Sequence, residues 1–152
     1  MARRLHVKEI LLLVDSSDAA RDAAEYAVEL GHDFGARLVA CSTVDTATLK
    51  TLALSRILVP VEVSELERDL EASSRKYLTL VADLAARNKV KAETLLLKGA
   101  VHSAVLATQK ERKSDLIVMG AVNSHQARRD LVIRERQLIL DESPCPVICV
   151  RF

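Results

Sequence analysis

Short, continuous apolar segments alternate along the chain with longer amphipathic ones. The apolar segments cover residues 10–14, 38–41, 94–97, 116–119 and 147–150. Continuous apolar runs of this length are typical of strands buried on both faces, as in parallel sheets. The pattern therefore predicts five parallel strands.

The segments between the strands have the 3.6-residue spacing of helices that bury one face. Before the first of them, Ser17 or Asp18 is suited to cap the helix. The apolar positions of that first helix are Ala20, Ala23, Ala24, Ala27, Leu30 and Phe34. A long middle helix is predicted to begin at Ser64, because its hydroxyl and the Glu67 carboxylate fit a capping box.

Two further helices complete the pattern. One is predicted over 101–111, and the last begins at residue 130 or 131 and ends before Pro144, which cannot continue a helix. Residues 46–60 are apolar but irregular, and we expect a short helix followed by an extended piece there. Because strand and helix alternate, right-handed crossovers should place helices on both faces of one α/β sheet.

Length and composition restrict the class of protein. A chain of 152 residues fits one domain, here 1–152, that buries about two thirds of its unfolded surface. With 49% hydrophobic residues, 28% charged residues and a net charge of +1, the chain is too apolar for disorder and too evenly charged for a nucleic-acid-binding arm. The apolar runs are shorter than the roughly 20 residues of a membrane span, and no signal peptide is evident. We expect a cytoplasmic protein with neither nucleic acid nor membrane as partner.

No catalytic or metal-binding constellation is evident in the sequence. Cys41, Cys145 and Cys149 lack metal-ligand spacing, and we predict buried thiols that behave as small hydrophobic side chains. The histidines are scattered without the paired spacing of a zinc site, and no serine lies in a nucleophile elbow. His102 and Ser103 open the third helix near the end of the third strand, where a surface histidine at a helix start is the simpler interpretation.

Two motifs carry a family resemblance. Asp115-Leu-Ile-Val-Met-Gly120 and the Pro144-Cys-Pro-Val turn into the last strand resemble the universal stress protein family, and the first strand and the Gly99 turn are in register with it. The resemblance implies an open five-stranded parallel sheet of order 3-2-1-4-5, the Rossmann-like fold of adenine nucleotide alpha hydrolases. It also implies a homodimer joined through the last strand, at Val147, Ile148, Cys149 and Val150.

The resemblance also implies a ligand site where the first and fourth strands meet. Asp15 takes the position that commonly lies beside a nucleotide base, and Val44 takes the position that packs on the base. Gly120 ends a buried strand, where backbone amides converge on an anion. Asp15 is equally suited to cap the turn into the first helix, and Ser16 and Ser17 are turn or cap residues in the simpler interpretation.

The phosphate loop is where the chain departs from the family pattern. Nucleotide-binding members have glycine, two residues, glycine, nine residues, and then glycine followed by serine or threonine. Counted from Gly120, those later positions hold Asn123, Ile133 and Arg134. Asn123 tolerates a left-handed backbone, whereas the β-branched Ile133 resists positive φ and fills space that phosphates need.

These residues lead to two hypotheses of different class. The first is a stress-response or regulatory protein that binds no cofactor through a glycine loop and works through association with itself or with an unknown protein. The second is a module that binds ATP or AMP, with slow ATPase activity, in which Arg134 or Arg128 replaces the glycine loop. A flavin carrier ranks last because the chain has no Trp and only two Tyr.

Overall fold

The computed structural model describes residues 5–122 and 129–151, with side chains from residue 131 onward in the second range. Five parallel strands form one sheet in the order β3-β2-β1-β4-β5. Their bounds are β1 Glu9–Leu13, β2 Arg37–Val44, β3 Ala92–Lys98, β4 Leu116–Gly120 and β5 Val147–Val150. Every residue of β1 and β4 is buried; apart from Glu9, the continuous apolar sequence of these strands predicts this burial. The predicted strand count and order are confirmed.

Five helices flank the sheet in the part of the chain that the structure describes. They are α1 Asp18–Phe34, α2 Thr46–Leu54, α3 Pro60–Arg87, α4 Val101–Arg112 and α5 Arg129–Glu142. Ser17 caps α1 by accepting a hydrogen bond from the amide of Ala20 at 3.1 Å. Residues 46–60 contain the predicted short helix, but turns and bends over 55–58 replace the predicted extended piece, because the amides of Ile57 and Leu58 bond back to the Leu52 carbonyl. None of the helices in the described ranges is long and apolar enough to cross a membrane.

Helix α3 begins four residues earlier than the sequence pattern predicts. Pro60 occupies its first turn, where the missing N–H and fixed φ of proline suit a helix start. The Glu62 carboxylate accepts a hydrogen bond from the amide of Val59 at 3.3 Å. The prediction of a start at Ser64 was therefore wrong. Pro60 and the Glu62 carboxylate already form a helix start before the Ser64–Glu67 pair.

The core consists of two layers, one on each face of the sheet. Alternate β1 side chains enter different layers, with Ile10 and Leu12 on one side and Leu11 and Leu13 on the other. The first layer includes buried residues of α1 and α3, and the second includes Val105 of α4 and Ile139 of α5. Helix α5 is thereby anchored on the sheet through Ile139.

A buried charge network lies where the strands begin. Glu9 is only 3% exposed, and its carboxylate accepts hydrogen bonds from Ser114 Oγ at 2.6 Å and Arg112 Nη2 at 3.1 Å. Arg37 also pairs with Glu9 at 3.1 Å, and Arg112 pairs with Glu93 at 2.7 Å. A buried carboxylate needs such partners to stay charged. We call these five residues, Glu9, Arg37, Glu93, Arg112 and Ser114, the Glu9 network.

The three cysteines differ in burial. Cys41 is buried, Cys145 is half-buried and Cys149 is exposed. Burial raises the pKa of the Cys41 thiol to about 12, so this thiol stays protonated at neutral pH. The prediction of buried thiols is confirmed for Cys41 and wrong for Cys149, because β5 is an edge strand with β4 as its one neighbour in the sheet.

Candidate functional site

A cavity of about 120 Å³ lies at the carboxyl ends of β1 and β2. The start of α4 and the first turns of α5 close it from the other side. Its described lining consists of Leu13, Val14, Asp15, Thr43, Asp45, Val101, Leu131, Val132, Glu135 and Arg136. The carboxyl ends of parallel strands are where open α/β sheets place ligands, so this cavity is the candidate site.

Asp15 is held by contacts from two elements. Its Oδ1 accepts hydrogen bonds from the amide of Ser17 at 2.8 Å and from the Ser17 hydroxyl, which shapes the turn into α1. Its Oδ2 accepts a hydrogen bond from Arg136 Nη2 of α5 at 2.8 Å. Both carboxylate oxygens are therefore engaged within the protein. The turn-forming role of Asp15 is observed, whereas its contact with a nucleotide base stays a prediction.

The Asp15–Arg136 pair is partly sequestered from water. The Arg136 side chain is 9% exposed and the Asp15 side chain 40% exposed. Burial alone would raise the pKa of Asp15, but the charge of Arg136 and the hydrogen bonds from Ser17 and Arg136 outweigh it. The pKa of Asp15 consequently lies below its ordinary value, and the pair is ionised at neutral pH.

Glu135, the neighbour of Arg136, ties α5 to a second element. Its Oε2 accepts hydrogen bonds from the backbone amide of His102 at 2.7 Å and from His102 Nδ1 at 2.6 Å. Helix α4 has Ala100 at its N-cap, which offers no side-chain acceptor for the free amides of the first turn. Glu135 supplies that acceptor from another helix. His102 lies at the start of α4, as predicted, and is half-buried and paired with Glu135; it does not belong to the described lining of the cavity.

Gly120 and Val44 have packing roles in the structure. A Cβ built on Gly120 would lie 2.6 Å from the backbone carbon of Ala19 in α1, so the close approach of α1 to β4 requires glycine. Val44 is 1% exposed, and its carbonyl accepts a hydrogen bond from the Gly99 amide at 3.2 Å. Neither Gly120 nor Val44 belongs to the described lining of the cavity. Their contact with a nucleotide stays a prediction.

The remaining candidate residues do not line the cavity in the described part of the site. Ser16, Ile133 and Arg134 are exposed, and Ile133, at 38% exposure, does not fill the crevice. Asn123 and Arg128 lie outside the described residues. Side chains two positions apart on a helix point about 200° away from each other. Arg136 therefore reaches Asp15, whereas Arg134 points away from it.

Arg136 is one of the cavity-lining residues that the sequence did not assign to the site, and it is the one that pairs with Asp15. It shares a face of α5 with Val132, which lines the cavity, and with the buried Ile139. The spacing of four and then three residues is the signal that would have placed Arg136 toward the sheet.

Comparisons with known proteins give one consistent result. The model of the Universal stress protein family matches residues 6–151. A universal stress protein of Methanocaldococcus jannaschii is 28% identical over 149 residues, which cover 95% of this chain and 82% of the relative. The solved structure of the universal stress protein UspA from Lactobacillus plantarum has a TM-score of 0.81 and 28% identity, covering 97% of this chain and 100% of that one.

At least two of the structural neighbours are complexes with a nucleotide, one with cAMP and one with dAMP. The universal stress protein from Archaeoglobus fulgidus in complex with dAMP has a TM-score of 0.67 and 15% identity, covering 97% of this chain and 100% of that one. At this identity the similarity establishes the shared fold alone.

Proposed function

Because the chain belongs to the universal stress protein family, we propose that it is a cytosolic, non-enzymatic regulatory protein whose crevice is closed by its own helix α5. In this proposal the protein does not hold ATP through a glycine loop and works through association with other proteins. The observation that carries the proposal is the ion pair between Arg136 and Asp15 at 2.8 Å.

The ion pair competes directly with a nucleotide base. A base placed against Asp15 would compete with Arg136 for Oδ2, because Oδ1 already accepts two hydrogen bonds from Ser17. Exposed ion pairs contribute about 0–1 kcal/mol, and a pair with one largely buried partner costs more to separate since the charge left behind is desolvated. The closed crevice therefore opposes nucleotide binding.

The size of the cavity supports the same conclusion. Its volume of about 120 Å³ is below the roughly 300–1,000 Å³ of typical small-molecule sites. Leu131 and Val132 enter this space from the first turns of α5. A nucleotide would fit there only after α5 moved away from the sheet.

Ile133 and Arg134, at the third glycine and the hydroxyl position of the family pattern, also disfavour the phosphate binding that this pattern provides. Ile133 and Arg134 are helical residues of α5. Neither provides the left-handed backbone for which glycine is suited. An arginine replaces the hydroxyl donor at position 134, and its side chain is exposed.

Protein association is supported by apolar surface around the start of α3. Leu54, Ile57, Val59 and Val61 are between 56% and 75% exposed. Clusters of exposed apolar side chains mark contact surfaces more often than isolated ones do. The edge strand β5 is a second surface, through which we propose a homodimer.

Titration calorimetry tests whether the crevice is closed. The wild-type chain is expected to show no binding of ATP or AMP up to about 1 mM ligand. Arg136→Ala frees Asp15 Oδ2 and should raise the affinity for AMP by about 10-fold, the equivalent of one charged hydrogen bond. The matched control is Arg134→Ala, two residues away on the exposed side of α5, which should change nothing. Micromolar affinity of the wild-type chain would overturn the proposal.

The same experiment examines the second candidate, a module that binds ATP or AMP through arginine. The dAMP complex of the Archaeoglobus fulgidus protein favours this candidate by analogy of fold. Under it, the wild-type chain binds nucleotide and Arg134→Ala weakens binding, because a phosphate contact is lost. The two candidates therefore predict opposite results for the wild-type chain.

A further inference from the structure

Glu135, His102 and Ser103 form a continuous hydrogen-bonded chain. Glu135 Oε2 lies 2.6 Å from His102 Nδ1, and His102 Nε2 lies 3.2 Å from Ser103 Oγ. This is the order of a carboxylate, an imidazole and a hydroxyl in which a base activates a nucleophile and a third group orients the base. The proposed regulatory function assigns no role to these three hydrogen-bonded residues.

The carboxylate determines which nitrogen of His102 carries the proton. An ionised carboxylate only accepts hydrogen bonds, so Nδ1 is the donor toward Glu135 in neutral His102. Nε2 is then left with a lone pair directed toward the Ser103 hydroxyl. Glu135 Oε2 also accepts a hydrogen bond from the backbone amide of His102 at 2.7 Å. One carboxylate oxygen therefore orients both the ring and the backbone of His102.

Glu135 and His102 are partly buried, whereas the Ser103 hydroxyl is open to a reagent from solvent. The Glu135 and His102 side chains are 15% and 24% exposed, whereas Ser103 is exposed. Ser103 is in the first turn of α4, a helix of 12 residues, where the positive end of the helix dipole favours negative charge. An oxyanion that forms on a group bound to Ser103 would lie close to that helix end.

We propose that Ser103 is a base-activated nucleophile that accepts an acyl group from an activated ester, as a stoichiometric modification without turnover. Ser103 Oγ forms a bond to the acyl carbon while its proton passes to His102 Nε2. The bond from that carbon to the leaving oxygen breaks, and the leaving alcohol or phenol takes the proton from the imidazolium. The products are acyl-serine and free alcohol, with His102 neutral again.

Other serines with described side-chain bonds lack this arrangement. The Ser17 hydroxyl donates to Asp15, the Ser114 hydroxyl donates to Glu9, and the Ser143 hydroxyl donates to the Cys145 carbonyl. In each case the partner is a carboxylate or a carbonyl and not an imidazole. Selective reaction at Ser103 therefore follows from its contact with His102.

A fluorophosphonate probe measures this reactivity, because it labels serines that a neighbouring base activates. Serine oxygen displaces fluoride from phosphorus, and the proton passes to the imidazole. Peptide mapping by mass spectrometry is expected to place one probe per chain on Ser103. Ser103→Ala should abolish the label without disturbing the fold, since this side chain is exposed. Ser64→Ala, which removes another exposed helical hydroxyl, should label like the wild-type chain.

Two further variants separate activation from simple exposure. His102→Gln should lower the labelling rate by about 100-fold, the low end of general-base contributions. Glu135 acts as a positioning residue, so Glu135→Gln should slow labelling about 10-fold, while Glu135→Asp should recover part of the rate because a carboxylate is restored. If Ser103→Ala labels as fast as the wild-type chain, or if His102→Gln leaves the rate at Ser103 unchanged, the proposal is wrong.

Discussion

At the scale of single residues, Gly120 illustrates how packing alone can require glycine at a position that the sequence assigns to a ligand site. The Cβ of any larger residue there would lie 2.6 to 2.8 Å from backbone and side-chain atoms of Ala19. Backbone atoms cannot move aside as a flexible side chain does, so α1 would have to shift relative to β4. The requirement for glycine at this position is therefore explained without a ligand.

Gly120→Ala is predicted to destabilise the fold by about 1–3 kcal/mol, the usual cost of overpacking. Urea unfolding followed by circular dichroism measures the change. Gly35→Ala is the comparison variant, because its Cβ would meet no atom within 4 Å and its cost comes from a φ of +64° alone; we expect about 1 kcal/mol. Unchanged stability of Gly120→Ala would contradict the packing explanation.

The contacts of Asp15 show which part of the site could be predicted from sequence. The bond from Ser17 spans two residues, and local turn chemistry predicts it. The bond from Arg136 spans 121 residues and depends on the rotation of α5 about its axis. Because the family spacing counted from Gly120 puts residue 134 at the hydroxyl position, the sequence placed Arg134 and not Arg136 at the site.

At the scale of elements, helix α3 divides into two halves with different surroundings. Its buried residues are Ser74, Leu78, Val81 and Ala85, all in the second half. In the first half, Leu66 and Leu70 are 36% and 38% exposed. The apolar periodicity continues through both halves, so the sequence predicts the helix but not where the sheet beneath it ends.

The two halves should differ in their contribution to stability. Leu78→Ala is predicted to cost about 2–4 kcal/mol in the free energy of unfolding, because the side chain is 4% exposed and its loss leaves a cavity. Leu70→Ala removes the same atoms from the same helix and is expected to cost less than about 1 kcal/mol. Thermal and urea unfolding test this difference. Equal costs would mean that the first half of α3 is covered in solution.

At the scale of the whole molecule, β5 is an edge strand of the described sheet, and it is where we propose that two copies join. The carbonyls of Pro146 and Val150 accept hydrogen bonds from Ile117 and Ala121 on the β4 side. Since backbone groups alternate in direction along a strand, the N–H and carbonyl of Cys149 point away from the sheet. A second β5 related by a two-fold axis would bond to those groups.

Cys149→Pro is predicted to convert the proposed homodimer into a monomer, because proline removes an outward-facing N–H and spares the bonds to β4. Cys149→Ala keeps that N–H and should remain dimeric. Sedimentation velocity at micromolar concentration distinguishes the two states. A monomeric wild-type chain, or a Cys149→Pro variant that remains dimeric, would exclude pairing through β5.

The Glu9 network has a consequence for how this sequence can change over evolutionary time. Its charges join β1, β2, β3 and the end of α4 where the strands begin, at the opposite end of the sheet from the cavity. Mutations around Asp15 and Arg136 therefore leave the network and its share of the folding free energy intact. This separation gives the chain mutational robustness, so a lineage can gain or lose a ligand at one end of the sheet while selection maintains the fold from the other.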